Sequence, residues 1–228
     1  MRFLVLGMSH VSALSSALKE RPDPNFQVIN VAALMKELHA SNAESSAQIA
    51  FIESLQPTDV LCFYLLGNQH NVAALINDPQ PFWMAPSAPN GHLVPQDMMV
   101  DHFNVILKQS AINANALSPL VQHKTKTVIN PPPPAADEAH IRQFPGAFGG
   151  KLHLGVSPDA LRIQMYQIQT RGYQAFARDL GANFVPSPAL ANDPRGFLAR
   201  DYWNTDPTHG NRAYGHLVLD ALRASSKA

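Results

Sequence analysis

A single cysteine, Cys62, stands in a chain of 228 residues. No disulfide can close within it, so the stapled scaffolds of small secreted proteins are excluded. Charge is also scarce, at 15% of residues, and balanced at 17 basic against 17 acidic. Without an excess of either sign there is no electrostatic reason to bind nucleic acid, an anionic membrane or an acidic polymer. No apolar run approaches the roughly 20 residues of a membrane span. The apolar run at residues 2–7 is too short for a signal peptide and lacks a small-residue cleavage site. A soluble, cytoplasmic protein with a small-molecule partner is expected, its whole length (1–228) forming one domain around one core. His10, His70 and His209 do not stand at helical ligand spacing from one another, which argues against a metal held by them.

Proline, by contrast, is abundant: 19 residues, clustered between 79 and 95 and at 131–134. Apolar residues continue through these clusters, so ordered loops are expected rather than disorder. Segment 79–95, with Phe82, Trp83 and Met84, reads as a loop or lid. Its apolar members either pack down or line a pocket.

The periodicity alternates between two patterns. Continuous apolar runs at 2–6 and 60–66 read as buried strands, with Cys62 as a small buried hydrophobe, and 26–32, the β-branched 127–129 and 183–185 read as further strands. Helical spacing appears in Val11, Leu14 and Leu18, in Ile49, Ile52 and Leu55, from Pro95 into the 110s, where Pro119 should end or kink the helix, and in Tyr214, Leu217, Val218, Ala221 and Leu222. A further stripe runs through Leu161, Met165, Ile168, Tyr173, Phe176 and Leu180, with Ser157 as expected N-cap and Gly181 at the end. Strands separated by helices predict a parallel sheet wrapped on both sides, whose ligands bind beyond the carboxyl ends of the strands.

Three clusters fall at that edge. Ser9 follows the first strand, Asn68 follows the third, and Asp206-Pro207-Thr208-His209 follows the last. An acid and an imidazole three residues apart can share one short turn, the carboxylate orienting the ring. The alternative is a turn in which Asp206 merely caps the next helix. His209 is the candidate base for the Ser9 hydroxyl, with Asp206 as its orienter; the Asn68 amide and the Ser9 backbone N–H are candidate donors to an oxyanion. His10, His70 and Trp83 flank the expected pocket as candidate substrate contacts, although both histidines also fit local hydrogen bonding.

Gly7-Met8-Ser9-His10, Gly67-Asn68 and Asp206-Pro207-Thr208-His209 resemble, in order and spread, the first, third and fifth sequence blocks of the SGNH, or GDSL-like, hydrolases. The resemblance implies a flavodoxin-like three-layer α/β/α sandwich with a central parallel sheet. It also implies an esterase acting on acyl, often acetyl, esters of carbohydrates or other alcohols, with no cofactor. By its motifs Ser9 is the nucleophile, Asn68 an oxyanion donor, His209 the base and Asp206 its orienter. An acyltransferase with the same residues and a non-catalytic binding protein on the same fold are the alternatives. The chain departs from the family at Met8, where Asp is usual, and at Gln69, where the block continues with Asp. No glycine lies between Gly7 and Gly67 to match the second block's oxyanion donor, leaving the backbone near Ala32 or Ala33 as the substitute.

Overall fold

The computed structural model describes residues 1–32, 54, 56, 58–65, 67–80, 82–84, 92–115 and 125–226. Its first half runs β1 (Phe3–Gly7), α1 (Val11–Glu20), β2 (Phe26–Asn30), β3 (Val60–Tyr64), α2 (Gln69–Ala74), β4 (Phe82–Trp83), β5 (His92–Leu93) and α3 (Gln96–Asn115). The second half runs β6 (Lys126–Ile129), α4 (Glu138–Gln143), α5 (Asp159–Asp179), β7 (Asn183–Val185) and α6 (Arg212–Ser225), with a 3₁₀ helix at Gly146–Leu154.

Five strands form one parallel sheet in the order β2-β1-β3-β6-β7. Successive side chains of a strand point to opposite faces, and both faces are covered. Phe3 and Val5 of β1 join Val60, Cys62 and Tyr64 of β3 in a core shared with α1 and α6. Leu4, Leu6, Leu61 and Phe63 face the other way, onto Leu107 of α3 and Tyr173 and Phe176 of α5. These three layers are the architecture that the uninterrupted apolar runs predict. Burial pushes the Cys62 thiol well above its usual range, as suits a packed side chain.

The strand order reverses at β1: β2 lies to one side and β3 to the other. Loops leaving β1 and β3 therefore diverge and open a crevice between them. Ser9 stands on one wall and Asn68 on the other. Helices α1 and α6 begin just after Ser9 and His209. They touch closely, because a Cβ on Gly215 would lie 2.2 Å from the Ala13 carbonyl oxygen.

The structure corrects several expected boundaries. β2 stops at Asn30, and Val31 and Ala32 are helical instead. β3 stops at Tyr64, after which the Leu65 carbonyl accepts a hydrogen bond from the Tyr173 hydroxyl. α5 starts with Pro158 at the cap position and no side-chain cap, so Ser157 does not cap it. Of the helix expected over 43–55 only Ser54, in a turn, is described, and the stop at Pro119 lies outside the described residues. Among the described residues no helix is long and apolar enough to cross a membrane.

Candidate active site

Gly7 ends β1 because the next strand leaves no room: a Cβ there would meet the Tyr64 carbonyl oxygen at 2.5 Å and a Val11 methyl at 2.4 Å. The chain then turns into α1 with Ser9 exposed at the turn. Ser9 Oγ lies 2.7 Å from His209 Nε2, across 200 residues of sequence. His209 Nδ1 lies 2.8 Å from Asp206 Oδ1. Hydroxyl, imidazole and carboxylate thus form one hydrogen-bonded line.

The Asp206 carboxylate is held on several sides. Its Oδ1 also accepts from the Thr208 backbone N–H at 2.9 Å, the Thr208 hydroxyl at 2.9 Å and the His209 backbone N–H at 3.0 Å. Partial burial opposes its ionisation, but the bonds from His209 and Thr208 outweigh it and hold the carboxyl well below the usual carboxylate range. Asp206 therefore remains an anion against the ring. It does not cap α6; Asn211 does, its side chain accepting from the Tyr214 N–H. With that role filled by another residue, the capping alternative for Asp206 loses its basis. Thr208, buried at 5% exposure, is a residue that spacing alone did not single out. Its hydroxyl also lies 3.0 Å from His209 Nδ1, so it braces both partners.

Across the crevice, Asn68 Oδ1 accepts from the Asn71 side chain at 3.0 Å. That bond fixes which way the amide faces and leaves the Asn68 NH₂ to donate elsewhere. Met8, Ser9, Asn30, Ala32, Gly67, Asn68 and Gln69 line one cavity of ≈ 320 Å³. The candidate donors and the Ser9 hydroxyl therefore share a pocket. Ala32 reaches it from the start of a helical turn, where backbone N–H groups have no intrahelical partner. Ala33 lies outside the described residues. Met8 and Gln69, two of the three departures from the SGNH pattern, are on the pocket wall.

His10 and His70 are placed differently from a substrate contact. His10 is 3% exposed, its ring 4.5 Å from the His209 ring and 5.6 Å from that of Tyr64, centroid to centroid. Burial, aided by the neighbouring imidazoles, holds it neutral, its pKa well below the ordinary value. Gly67 is required beneath it, since a Cβ there would lie 2.3 Å from the His10 ring. His70 is buried too; its backbone N–H donates to Gln169 Oε1 at 2.5 Å and its Nδ1 lies 3.2 Å from the same oxygen. Burial lowers its pKa from 6.5 to about 3. Gln169 also donates to the Gly67 carbonyl at 3.3 Å, so α5 supports the Asn68 turn from below. Trp83 is not at the Ser9 pocket. It pairs, through β4, with β5 and lines a separate cavity. Among the described residues no group of three or more His, Cys, Asp or Glu could hold a metal ion.

No family model matches the chain, and no curated protein matches it in sequence. Solved structures do match in fold. A Streptococcus pneumonia protein provisionally described as a platelet activating factor aligns over 99% of this chain and 83% of its own, at 15% identity and TM-score 0.53. A GDSL-like lipase from Bacteroides thetaiotaomicron aligns over 99% and 87%, at 10% identity and TM-score 0.48. A catalytic mutant of an acetylxylan esterase from Geobacillus stearothermophilus aligns over 99% and 93%, at 15% identity and TM-score 0.46. At these identities the likeness is one of fold.

Proposed function

We propose that this chain is a divergent SGNH (GDSL-like) hydrolase, a serine esterase that cleaves small acyl esters through an acyl-Ser9 intermediate. The observation that carries this reading is the unbroken line from Ser9 Oγ through His209, 2.7 Å away, to Asp206, 2.8 Å beyond. A serine hydroxyl is a poor nucleophile until a base takes its proton, and His209 Nε2 stands at proton-transfer distance.

In the first half-reaction Ser9 Oγ bonds to the ester carbonyl carbon as its proton passes to His209. The bond from that carbon to the alcohol oxygen then breaks, and His209 returns the proton to the departing alkoxide. In the second half, water gives a proton to His209 while its oxygen bonds to the acyl carbon. The Ser9 oxygen leaves, taking the proton back, and a carboxylic acid is released. Asp206, kept ionised, holds the ring in one tautomer and steadies the imidazolium in both halves. The Asn68 amide and the backbone N–H of Ser9 receive the oxyanion, with Ala32 as a third donor on the facing wall. Each such donor contributes about 3 kcal/mol to the transition state. Small acyl groups fit the modest cavity around Ser9, and acetyl is the first to test.

Turnover of 4-nitrophenyl acetate by the wild type beside Ser9→Ala tests the reading. Loss of at least a thousandfold in kcat with the fold intact is expected. Equal turnover by both proteins removes Ser9 from the mechanism.

A further inference from the structure

A second cavity, ≈ 330 Å³, is lined by Ala73, Ile76, Asn77, Asp78, Phe82, Trp83, Ser157, Pro158 and Leu161. It is separate from the Ser9 pocket but shares α2 with it. Gln69 lines the Ser9 pocket, and Ala73 and Ile76 line the second cavity. Positions i and i+4 lie on one face of a helix, so Gln69 and Ala73 of α2 share a face, while Ile76 lies just beyond the helix in a bridge to Val156. At 1.5 Å rise per residue, Ala73 stands roughly 6 Å along the axis from Gln69. The cavity thus opens on the same helical face as the nucleophile's pocket, within reach of one extended ligand.

Its chemistry is mixed in a specific way. Two aromatic and four aliphatic residues supply apolar walls. Ser157, which sequence reasoning expected to cap α5, is 3% exposed, and its hydroxyl has no hydrogen-bond partner. A buried hydroxyl without a partner costs free energy comparable to a lost hydrogen bond, and a ligand group could supply that partner. Asp78 stands at the rim, exposed, with Oδ1 accepting the Gln80 N–H at 2.8 Å. Its charge disfavours an anionic occupant.

We propose that this second cavity is a substrate subsite that takes an uncharged, ring-sized apolar group bearing a hydrogen-bonding substituent, joined to the reacting ester by a spacer that runs along α2. The proposal rests on the esterase reading for its connection to turnover but not for binding. The ring enters on either the acyl or the alcohol side of the ester, and the substrates distinguish the two.

Two esters serve as probes, methyl 6-(4-hydroxyphenyl)hexanoate and 6-(4-hydroxyphenyl)hexyl acetate, with ethyl acetate as reference. The kcat/KM ratio of one aryl ester to ethyl acetate is expected to fall at least tenfold in Ala73→Phe, which fills the cavity from the helix surface. The ester that shows the fall identifies the side. Calorimetry with 6-(4-hydroxyphenyl)hexan-1-ol and the Ser9→Ala protein gives a readout without catalysis. Affinity is expected to drop at least tenfold with Ala73→Phe added. With Ser157→Ala added, the preference over the phenyl analogue lacking the hydroxyl should disappear. If neither ester nor ethyl acetate is hydrolysed yet the alcohol binds in this pattern, the esterase reading fails and the subsite stands. Unchanged affinity in Ala73→Phe, or no measurable binding to the folded protein, overturns the subsite.

Discussion

At the scale of single residues, the arrangement depends on an acid that is held from several directions. Asp206 Oδ1 accepts two backbone and two side-chain hydrogen bonds, and the Thr208 hydroxyl touches both the carboxylate and the imidazole. Thr208→Val keeps the shape and the backbone N–H but removes the hydroxyl. A net hydrogen bond is worth about 1 kcal/mol, so kcat is expected to fall roughly fivefold with KM little changed, and Thr208→Ser should recover most of it. Steady-state kinetics of the three proteins on one ester check this; equal kcat in Thr208→Val would show that the hydroxyl braces nothing that matters in the reaction. The same scale explains why Thr208 escaped notice in the sequence. A threonine between an acid and a histidine has no distinctive spacing, and only the folded turn reveals that its Oγ1 points back at both.

At the scale of elements, the distance between Ser9 and His209 is a packing outcome. Ser9 is attached to the start of α1 and His209 to the start of α6, and the two helices meet at Ala13 and Gly215 with no room for a methyl group. Gly215→Ala places a Cβ against backbone, which cannot rotate away, so α6 must shift. Overpacking of this kind costs about 1 to 3 kcal/mol. Denaturant unfolding is expected to show that loss, and activity is expected to fall further than stability because the Ser9–His209 bond lengthens with the helix. A variant with wild-type stability and activity would mean that the two helices tolerate more separation than their backbone contact implies. The helices and strands themselves were largely legible. The run at 60–64 is apolar because the sheet is covered on both sides there, and the stripe from Leu161 to Phe176 faces the core as its period requires. Ends were less legible. Ala32 continues an apolar run yet belongs to a helical turn, because hydrophobicity alone does not distinguish the last residue of a buried strand from the first of a buried helix.

At the scale of the whole molecule, the site is supported by buried neutral histidines, and this makes folding sensitive to acid. Burial lowers His70 from 6.5 to about 3 and moves His10 in the same direction. Below pH 6.5 the unfolded chain takes up protons that the folded chain refuses, so stability is lost as pH falls from about 6.5 toward 3. Asp59 adds to this at lower pH. Burial opposes its charge, but bonds from Arg2 and Gln56 outweigh that and bring its pKa from 3.8 to about 2, so its contribution is lost as pH falls through that window. Melting temperatures from pH 7.5 to 4 are expected to decline, and His70→Asn, which keeps a donor toward Gln169, should shallow the slope. Parallel slopes would exclude His70 as a source. The support of His70 by Gln169, 99 residues away, is the kind of feature that no local pattern announces, whereas the meeting of Ser9, Asn68 and His209 at one edge followed from strand order alone. That meeting is the central claim, and mass spectrometry after treatment with a fluorophosphonate probes it most directly. A covalent adduct is expected on the peptide containing Ser9, absent when His209→Ala removes the base; a folded wild-type protein that leaves Ser9 unmodified would contradict it.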